Sequence, residues 1–139
     1  MSWYVYGLLA SLFLGIYNFL YGLLDKKLQI STILIGIGTG IILTGIIYAV
    51  IVRKNIFEFN ANWWLPSVIG LTIGIAIIFV IKSFSDPKVK VSQLVPLINT
   101  NTLFSVTLGL IIFKEYQSVS LIKVLLGTLL ILLGAIVIK

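Results

Sequence analysis

Five long apolar stretches, each without charge over most of its length, constrain this chain more than any other feature of its sequence. A helix needs roughly 20 consecutive apolar residues to cross the hydrocarbon of a bilayer. We therefore predict five spanning helices, at about residues 2–24, 28–52, 62–84, 91–113 and 119–138. The stretches are too long and continuous for the strands of a membrane barrel, which alternate over about ten residues. The predicted fold class is an all-α integral membrane protein with five transmembrane helices.

Composition indicates that lipid, rather than a polar surface, surrounds the apolar residues. The chain has 139 residues, of which 60% are apolar and 10% are charged. Soluble domains carry about 25% charged residues, so too little polar surface exists here to enclose a core. The connections between the stretches are too short for a second domain. Residues 1–139 are therefore predicted to form a single membrane domain.

Basic residues flank the apolar stretches and give the chain a formal net charge of +6. Flanking cations are typical of membrane helices beside anionic lipid, which we favour over nucleic acid as the partner. Five spans would place Arg53, Lys54, Lys114 and Lys123 on one side of the bilayer. The other side would carry Lys26, Lys27, Lys82, Lys88, Lys90 and Lys139. We expect the protein in the inner or plasma membrane of the cell. The small excess of cations on the second side favours a carboxyl terminus in the cytoplasm. Insertion in both orientations remains open.

The residues that usually carry catalysis or metal binding are missing or lie at the span ends. Cysteine and histidine are absent, which removes disulfides, thiolate nucleophiles, imidazole bases and nearly every zinc or copper site. All the acids lie at predicted span ends or in loops: Asp25, Glu58, Asp86 and Glu115. We therefore expect no enzyme activity, no cofactor and no metal.

Small residues recur at helical spacing along several spans. Helices in lipid associate through small residues and interhelical polar contacts, because lipid removes the hydrophobic drive between them. We predict that one group of glycines serves helix packing or a dimer interface: Gly15, Gly36, Gly40, Gly70, Gly74, Gly127 and Gly134. The alternative is that some of them line a path or let helices slide.

The fourth span contains a polar run directly after a proline. Pro96 removes a backbone donor and predicts a bend, and Asn99, Asn101 and Thr102 follow within two turns. Such a cluster is costly within a span unless it meets other helices or water, and both alternatives remain open. Asn18 beside Tyr17 is the candidate in the first span to face it. The candidate solute-binding residues are Tyr17, Asn18, Asn99, Asn101 and Thr102.

The last third of the chain has an ordered set of residues that resembles a known transporter domain. A proline within a span, at Leu94–Leu97, leads into the apolar run Gly109–Phe113 and then Glu115. Ser118 and Ser120 follow, and the closing stretch 126–134 carries Gly127 and Gly134 around aliphatic residues. This order resembles the second half of the EamA-type domain of the drug/metabolite transporter superfamily over about 45 residues.

That resemblance implies a five-helix repeat, of which typical members carry two, inverted, within one chain. A chain with one repeat would have to pair, so a homodimer, with an antiparallel arrangement as one form, is implied. The four-span small multidrug exporters of the superfamily carry a glutamate within their first span. The corresponding stretch here, residues 14–20, has no acid, which puts coupling by that carboxylate in doubt.

Glu115 matches the acid of the family pattern, and two roles remain open for it. In a structural role it precedes Ser118 and Ser120, either of which could cap the fifth span, and it could pair with Lys114 or Lys123. In a functional role, Glu115 would be a gate or coupling group near the membrane surface, with Pro96 as a second structural or gating candidate.

Two functions follow as expectations. The first is a transporter of the drug/metabolite superfamily that moves a small polar or amphipathic metabolite by alternating access as a homodimer. The second is a non-transporting accessory or interaction subunit in the membrane, for example of a flippase for a lipid-linked carrier.

Overall fold

Helices account for the regular structure of the chain. The structure, a computed structural model, describes residues 3–24, 27–53, 55 and 62–137. These residues form six α-helices and one short 3₁₀-helix, and they contain no strand. The α-helices are α1 (Trp3–Gly22), α2 (Ile30–Val52), α3 (Trp64–Phe84), α4 (Val91–Ile98), α5 (Asn101–Ile112) and α6 (Leu121–Val137); the 3₁₀-helix is Glu115–Gln117.

Four helical segments are long and apolar enough to cross a membrane: Tyr4–Gly22, Ile30–Val52, Trp64–Phe84 and, taking α4 and α5 together, Val91–Ile112. The all-helical fold class predicted from the sequence is confirmed, and these four segments are consistent with a helical membrane protein. The fifth predicted span corresponds to α6, which has 17 described residues. At 1.5 Å per residue α6 is about 26 Å long, somewhat less than the ~30 Å of bilayer hydrocarbon. The count of five spans therefore stays a prediction.

The chain divides into two compact units. One unit consists of Met1–Gly22 and Pro87–Lys139, and the other is Leu23–Asp86. The first unit contains α1, α4, α5, the 3₁₀-helix and α6, and the second contains α2 and α3. The prediction of one membrane domain over residues 1–139 stays a prediction.

In the second unit, α2 and α3 pack against each other through a small aliphatic contact. Ile33 and Ala49 of α2 and Ile77 and Ile81 of α3 are the buried apolar residues there. Most other side chains of the two helices are exposed, as expected where lipid covers a helix surface.

Hydroxyl side chains on these apolar helices bond within their own helix. Thr39 donates to the carbonyl of Ile35, Thr44 to that of Gly40, and Thr72 to that of Val68, at 2.8–2.9 Å. Thr128 of α6 donates in the same way to Val124, at 2.7 Å. Each hydroxyl proton therefore has an acceptor without any contribution from a neighbouring helix.

In the first unit, α4 is the central element, because it contacts both α1 and α6. Tyr21 of α1 and Leu94 of α4 are the buried residues of this unit. The closest approach to α1 involves Gly22, where an added Cβ would lie 2.5 Å from Cγ2 of Val91. The end of α1 thus meets the start of α4 so closely that a larger residue than glycine would force the Val91 side chain to shift.

The glycines predicted to serve packing occupy open space within the described chain. A Cβ added at Gly15, Gly36, Gly40, Gly70, Gly74, Gly127 or Gly134 meets no atom within 4 Å. None of them therefore forms a close helix contact inside its own unit, and their role between copies of the chain stays a prediction. The close contacts instead occur at Gly22 and at Gly109.

Candidate functional site

A cleft in the first unit lies between α4–α5 and α6, with a volume of about 640 Å³. This volume falls within the range of small-molecule sites, about 300–1,000 Å³. Its apolar lining consists of Val89, Leu94, Leu97, Leu103, Phe104, Leu132, Ala135 and Ile136. Its polar lining consists of Lys88, Gln93 and Thr100. We call it the α4–α6 cleft.

The break between α4 and α5 forms part of one wall of the cleft. Pro96 has no N–H, so the carbonyl of Ser92 loses its usual helical donor. Beyond Pro96 the backbone tightens: the N–H of Thr100 bonds to the carbonyl of Leu97 at 3.2 Å, and that of Leu103 bonds to the carbonyl of Thr100 at 2.9 Å. These bonds reach back three residues instead of four, as in a 3₁₀ turn. The region after Pro96 is thus divided into two helices, with the break at residues 99–100, and the predicted bend itself stays a prediction.

The hydroxyl groups of the polar run bond to backbone carbonyls at this break. Thr100 donates to the carbonyl of Leu97 at 2.7 Å, and Thr102 donates to that of Asn99. Ser105 donates to the carbonyl of Asn101 at 3.3 Å. Part of the polar cluster therefore donates hydrogen bonds to backbone carbonyls at the break between α4 and α5. Thr100 is the member of the cluster that lines the cleft.

The two amides of the run are placed differently from the hydroxyls. Asn99 and Asn101 are exposed, and within the described chain neither side chain donates to or accepts from another residue. Their amides are therefore available to an outside group, such as a solute or another copy of the chain. Their assignment as solute-binding residues stays a prediction.

The first helix brings two tyrosines together rather than joining its asparagine to the polar run. The hydroxyl groups of Tyr17 and Tyr21 lie 2.5 Å apart, and their rings meet edge to face with centroids 4.7 Å apart. Tyr21 is only 5% exposed, whereas Tyr17 and Asn18 are half-buried. Among described residues, no hydrogen bond links Asn18 to Asn99 or Asn101. The spacing of four residues between Tyr17 and Tyr21 is the signal that would have indicated this pair.

Glu115 lies at the start of the 3₁₀-helix, and its carboxylate turns back onto α5. A Cβ added at Gly109 would be 3.0 Å from its Oε2 atom. Lys114, directly before it, has a φ of 53°, in the left-handed region, so the chain reverses sharply at that point. The glycine at 109 leaves the space that the folded-back carboxylate occupies.

The structural role considered for Glu115 concerned Ser118 and Ser120 as caps of the last helix, and a cap by Ser120 stays a prediction. Ser118 donates its hydroxyl to the carbonyl of Glu115 at 3.1 Å, so it closes the 3₁₀ turn instead of capping α6. In the described part of the chain, Glu115 forms no ion pair with Lys114 or Lys123. Its gating or coupling role stays a prediction.

Comparison of the chain with protein-family models, with curated proteins and with solved structures gives no match. The resemblance to the EamA-type domain accordingly rests on the ordered residues of the last third alone.

Several cleft residues carried no functional signal in the sequence. In the sequence, Lys88 is one of several cations that flank the spans, and Gln93 is an amide near the start of a helix. Ala135 is one of many small residues. Thr100 belonged to the polar run, and Leu94, Leu97 and Leu132 belonged to the stretches that resemble the EamA-type domain. The cleft joins residues 88–104 to residues 132–136, and no periodic pattern relates two segments so far apart.

Proposed function

We propose that the chain is a transporter subunit that moves a small amphipathic metabolite across a membrane by alternating access. The observation that carries this proposal is the α4–α6 cleft, about 640 Å³ in volume and set beside a broken apolar helix. Interrupted helices at bilayer depth are tolerated where the irregular backbone is buried in protein or lines a cavity, and transporters use them to bind solutes.

The proposal extends to the family and to assembly. The ordered residues from Leu94 to Gly134 support one EamA-type repeat of the drug/metabolite transporter superfamily. A single repeat would work as a homodimer, and the similar numbers of cations on the two predicted sides support an antiparallel pair. Gly127 and Gly134 leave open grooves on α6 where a second copy would pack closely.

A second candidate function is an accessory subunit of a flippase for a lipid-linked carrier. The mostly apolar lining of the cleft favours it, because such a lining suits a lipid chain as well as a metabolite. The two candidates differ in whether the purified chain moves a solute unaided.

The test of transport uses purified protein, alone, in liposomes. Three probes share a dodecyl chain labelled with the fluorophore NBD and end in a phosphate, a glucoside or a trimethylammonium group. Dithionite added outside the liposomes quenches the NBD fluorescence of probe molecules in the outer leaflet. The rate at which the remaining fluorescence is lost therefore reports movement of the probe across the bilayer. We expect protein to speed the movement of at least one probe about tenfold over empty liposomes, equivalent to ~1.4 kcal/mol in the barrier. Rates equal to those of empty liposomes for all three probes would contradict transport and support the accessory function.

The predicted role of the exposed amides can be tested in the same assay. Asn99→Leu removes a neutral hydrogen-bonding group, and we expect flux to fall about fivefold, as for one lost hydrogen bond of ~1 kcal/mol. Asn55→Leu, the same change at an exposed loop position, serves as the matched control and should leave flux unchanged. Equal flux in the wild type and Asn99→Leu, with unchanged elution on size exclusion, would remove Asn99 from the solute path.

A further inference from the structure

We propose that the α4–α6 cleft binds an anionic amphiphile, with a phosphate or carboxylate head at Lys88 and Gln93 and a single alkyl or isoprenoid tail along Leu97 and Phe104. This inference rests on the proposed function, since it names the class of molecule that the cleft would take. It adds that the head group carries a negative charge, which the volume of the cleft alone does not indicate.

The polar residues of the cleft are distributed unevenly along its length. Lys88 and Gln93 lie at the start of the wall formed by α4 and α5, whereas Leu94, Leu97, Leu103 and Phe104 continue it. The wall from Leu94 to Phe104 includes the end of α4, the break at residues 99–100 and the start of α5. One polar end followed by a long apolar channel matches a molecule with one head and one long tail.

Among the described residues, the opposite wall has no polar side chain for a second head group. The lining residues of α6 are Leu132, Ala135 and Ile136, all apolar. Thr100 is the remaining polar lining residue, and its hydroxyl proton is already donated to the carbonyl of Leu97. Both walls beyond Gln93 therefore favour a hydrocarbon over a sugar or a charged polar solute.

The charges at the polar end select an anion. Lys88 is the charged residue among the described residues that line the cleft, and a second cation, Lys90, follows two positions later in the chain. The first turn of α4 begins at Val91, without a side-chain cap from Lys90, so its N–H groups add a positive partial charge. Lys88 already takes part in an interaction of the chain, and its ammonium has three donors, so a head group can share it.

A neutral or cationic amphiphile would gain less from this end of the cleft. A phosphate or carboxylate accepts charge-assisted hydrogen bonds from Lys88, which are stronger than those that a glucoside can form. A trimethylammonium head cannot accept a hydrogen bond, and the positive charge of Lys88 repels it. The preference expected is about tenfold for the anion over the neutral head, as for one charge-assisted hydrogen bond.

The experiment measures binding rather than transport, with the full chain in phosphatidylcholine nanodiscs. Dodecyl phosphate carrying NBD is the bound probe, and its signal in empty nanodiscs is subtracted. Unlabelled dodecyl phosphate, dodecyl glucoside and dodecyltrimethylammonium are the competitors. We expect the phosphate to displace the probe at about tenfold lower concentration than the glucoside, with the trimethylammonium compound weakest.

Two lysine variants isolate the source of that preference. Lys88→Gln should bring the phosphate and the glucoside to within about twofold of each other, whereas Lys123→Gln, an exposed lysine of α6 outside the cleft, should keep the preference. Both variants lower the net charge equally, so general attraction to a basic protein would affect them alike.

The outcomes separate this inference from the proposed function. Equal displacement by all three competitors, or an unchanged preference in Lys88→Gln, would overturn the anionic head while leaving the cleft as a site. No probe bound above the level of empty nanodiscs would overturn the inference, whereas the proposed function fails only if no probe crosses protein liposomes faster than empty ones.

Discussion

Replacing Ala135 by Trp is expected to lower flux of the moved probe about tenfold or more in liposomes, while the protein stays folded. Ala135 lies half-buried on α6 and lines the cleft between Leu132 and Ile136. An indole at this position would project into the space that we propose for the solute. Each ~1.4 kcal/mol of lost binding free energy corresponds to a tenfold loss of affinity.

The loss of flux is separable from a loss of folding. Overpacking of a filled core costs about 1–3 kcal/mol, but a cleft of about 640 Å³ has room for the larger ring. We therefore expect the thermal unfolding temperature of Ala135→Trp to lie close to that of the wild type. Ala76→Trp places the same side chain at an exposed position of α3 and should retain flux. Wild-type flux in Ala135→Trp would show that the cleft is not on the solute path.

The second large effect is expected on stability, from Gly22→Leu. A Cβ at this position would lie 2.5 Å from Cγ2 of Val91, and a β-branched valine has few other rotamers in a helix. Leucine favours a helix over glycine by less than ~1 kcal/mol, which is smaller than the expected strain. We expect a net loss of about 1–3 kcal/mol in the free energy of unfolding, measured by circular dichroism in detergent.

Two further variants test the cause of that loss. Val91→Ala in the Gly22→Leu background removes the methyl groups that clash and should restore most of the lost stability. Gly7→Leu makes the same change on α1 where an added Cβ meets nothing within 4 Å, so it should not destabilise the chain. Equal losses in Gly7→Leu and Gly22→Leu would mean that leucine is tolerated poorly anywhere on α1 and that the contact with Val91 is not the reason.

The helices could be predicted closely because charge and length determine them in lipid. The second span, predicted at 28–52, is observed as Ile30–Val52, and the third, predicted at 62–84, is observed as Trp64–Phe84. The proline and polar residues of the fourth span predicted a bend, and that region is two helices, α4 and α5. Residues 2 and 138, at the outer limits of the first and last predicted spans, lie outside the described residues.

The cleft could not be predicted, because lipid-facing and protein-facing positions have the same composition. Leu132 and Leu133 are identical neighbours on α6, and only Leu132 lines the cleft. In a soluble protein the polar face of a helix would have distinguished them. Here the faces that meet depend on contacts between segments far apart in the chain.

Glycine spacing was a poor guide to close packing for a related reason. Regular spacing shows that Gly36 and Gly40, or Gly70 and Gly74, share a face, but it does not show that another helix covers that face. The close approaches occur at Gly22 and Gly109, where the neighbours are the Val91 methyl and the Glu115 carboxylate. Their positions follow from how the chain turns before α4 and after α5.

The hydroxyl groups that bond within their own helices have a consequence for how α2 and α3 are inserted and moved. Thr39, Thr44 and Thr72 enter the bilayer with their protons already donated, so each helix is a self-sufficient unit before it meets its neighbour. None of these three bonds has to break when one helix rotates or shifts along the other. Among the described residues, the buried contacts that hold α2 against α3 are then those of aliphatic side chains.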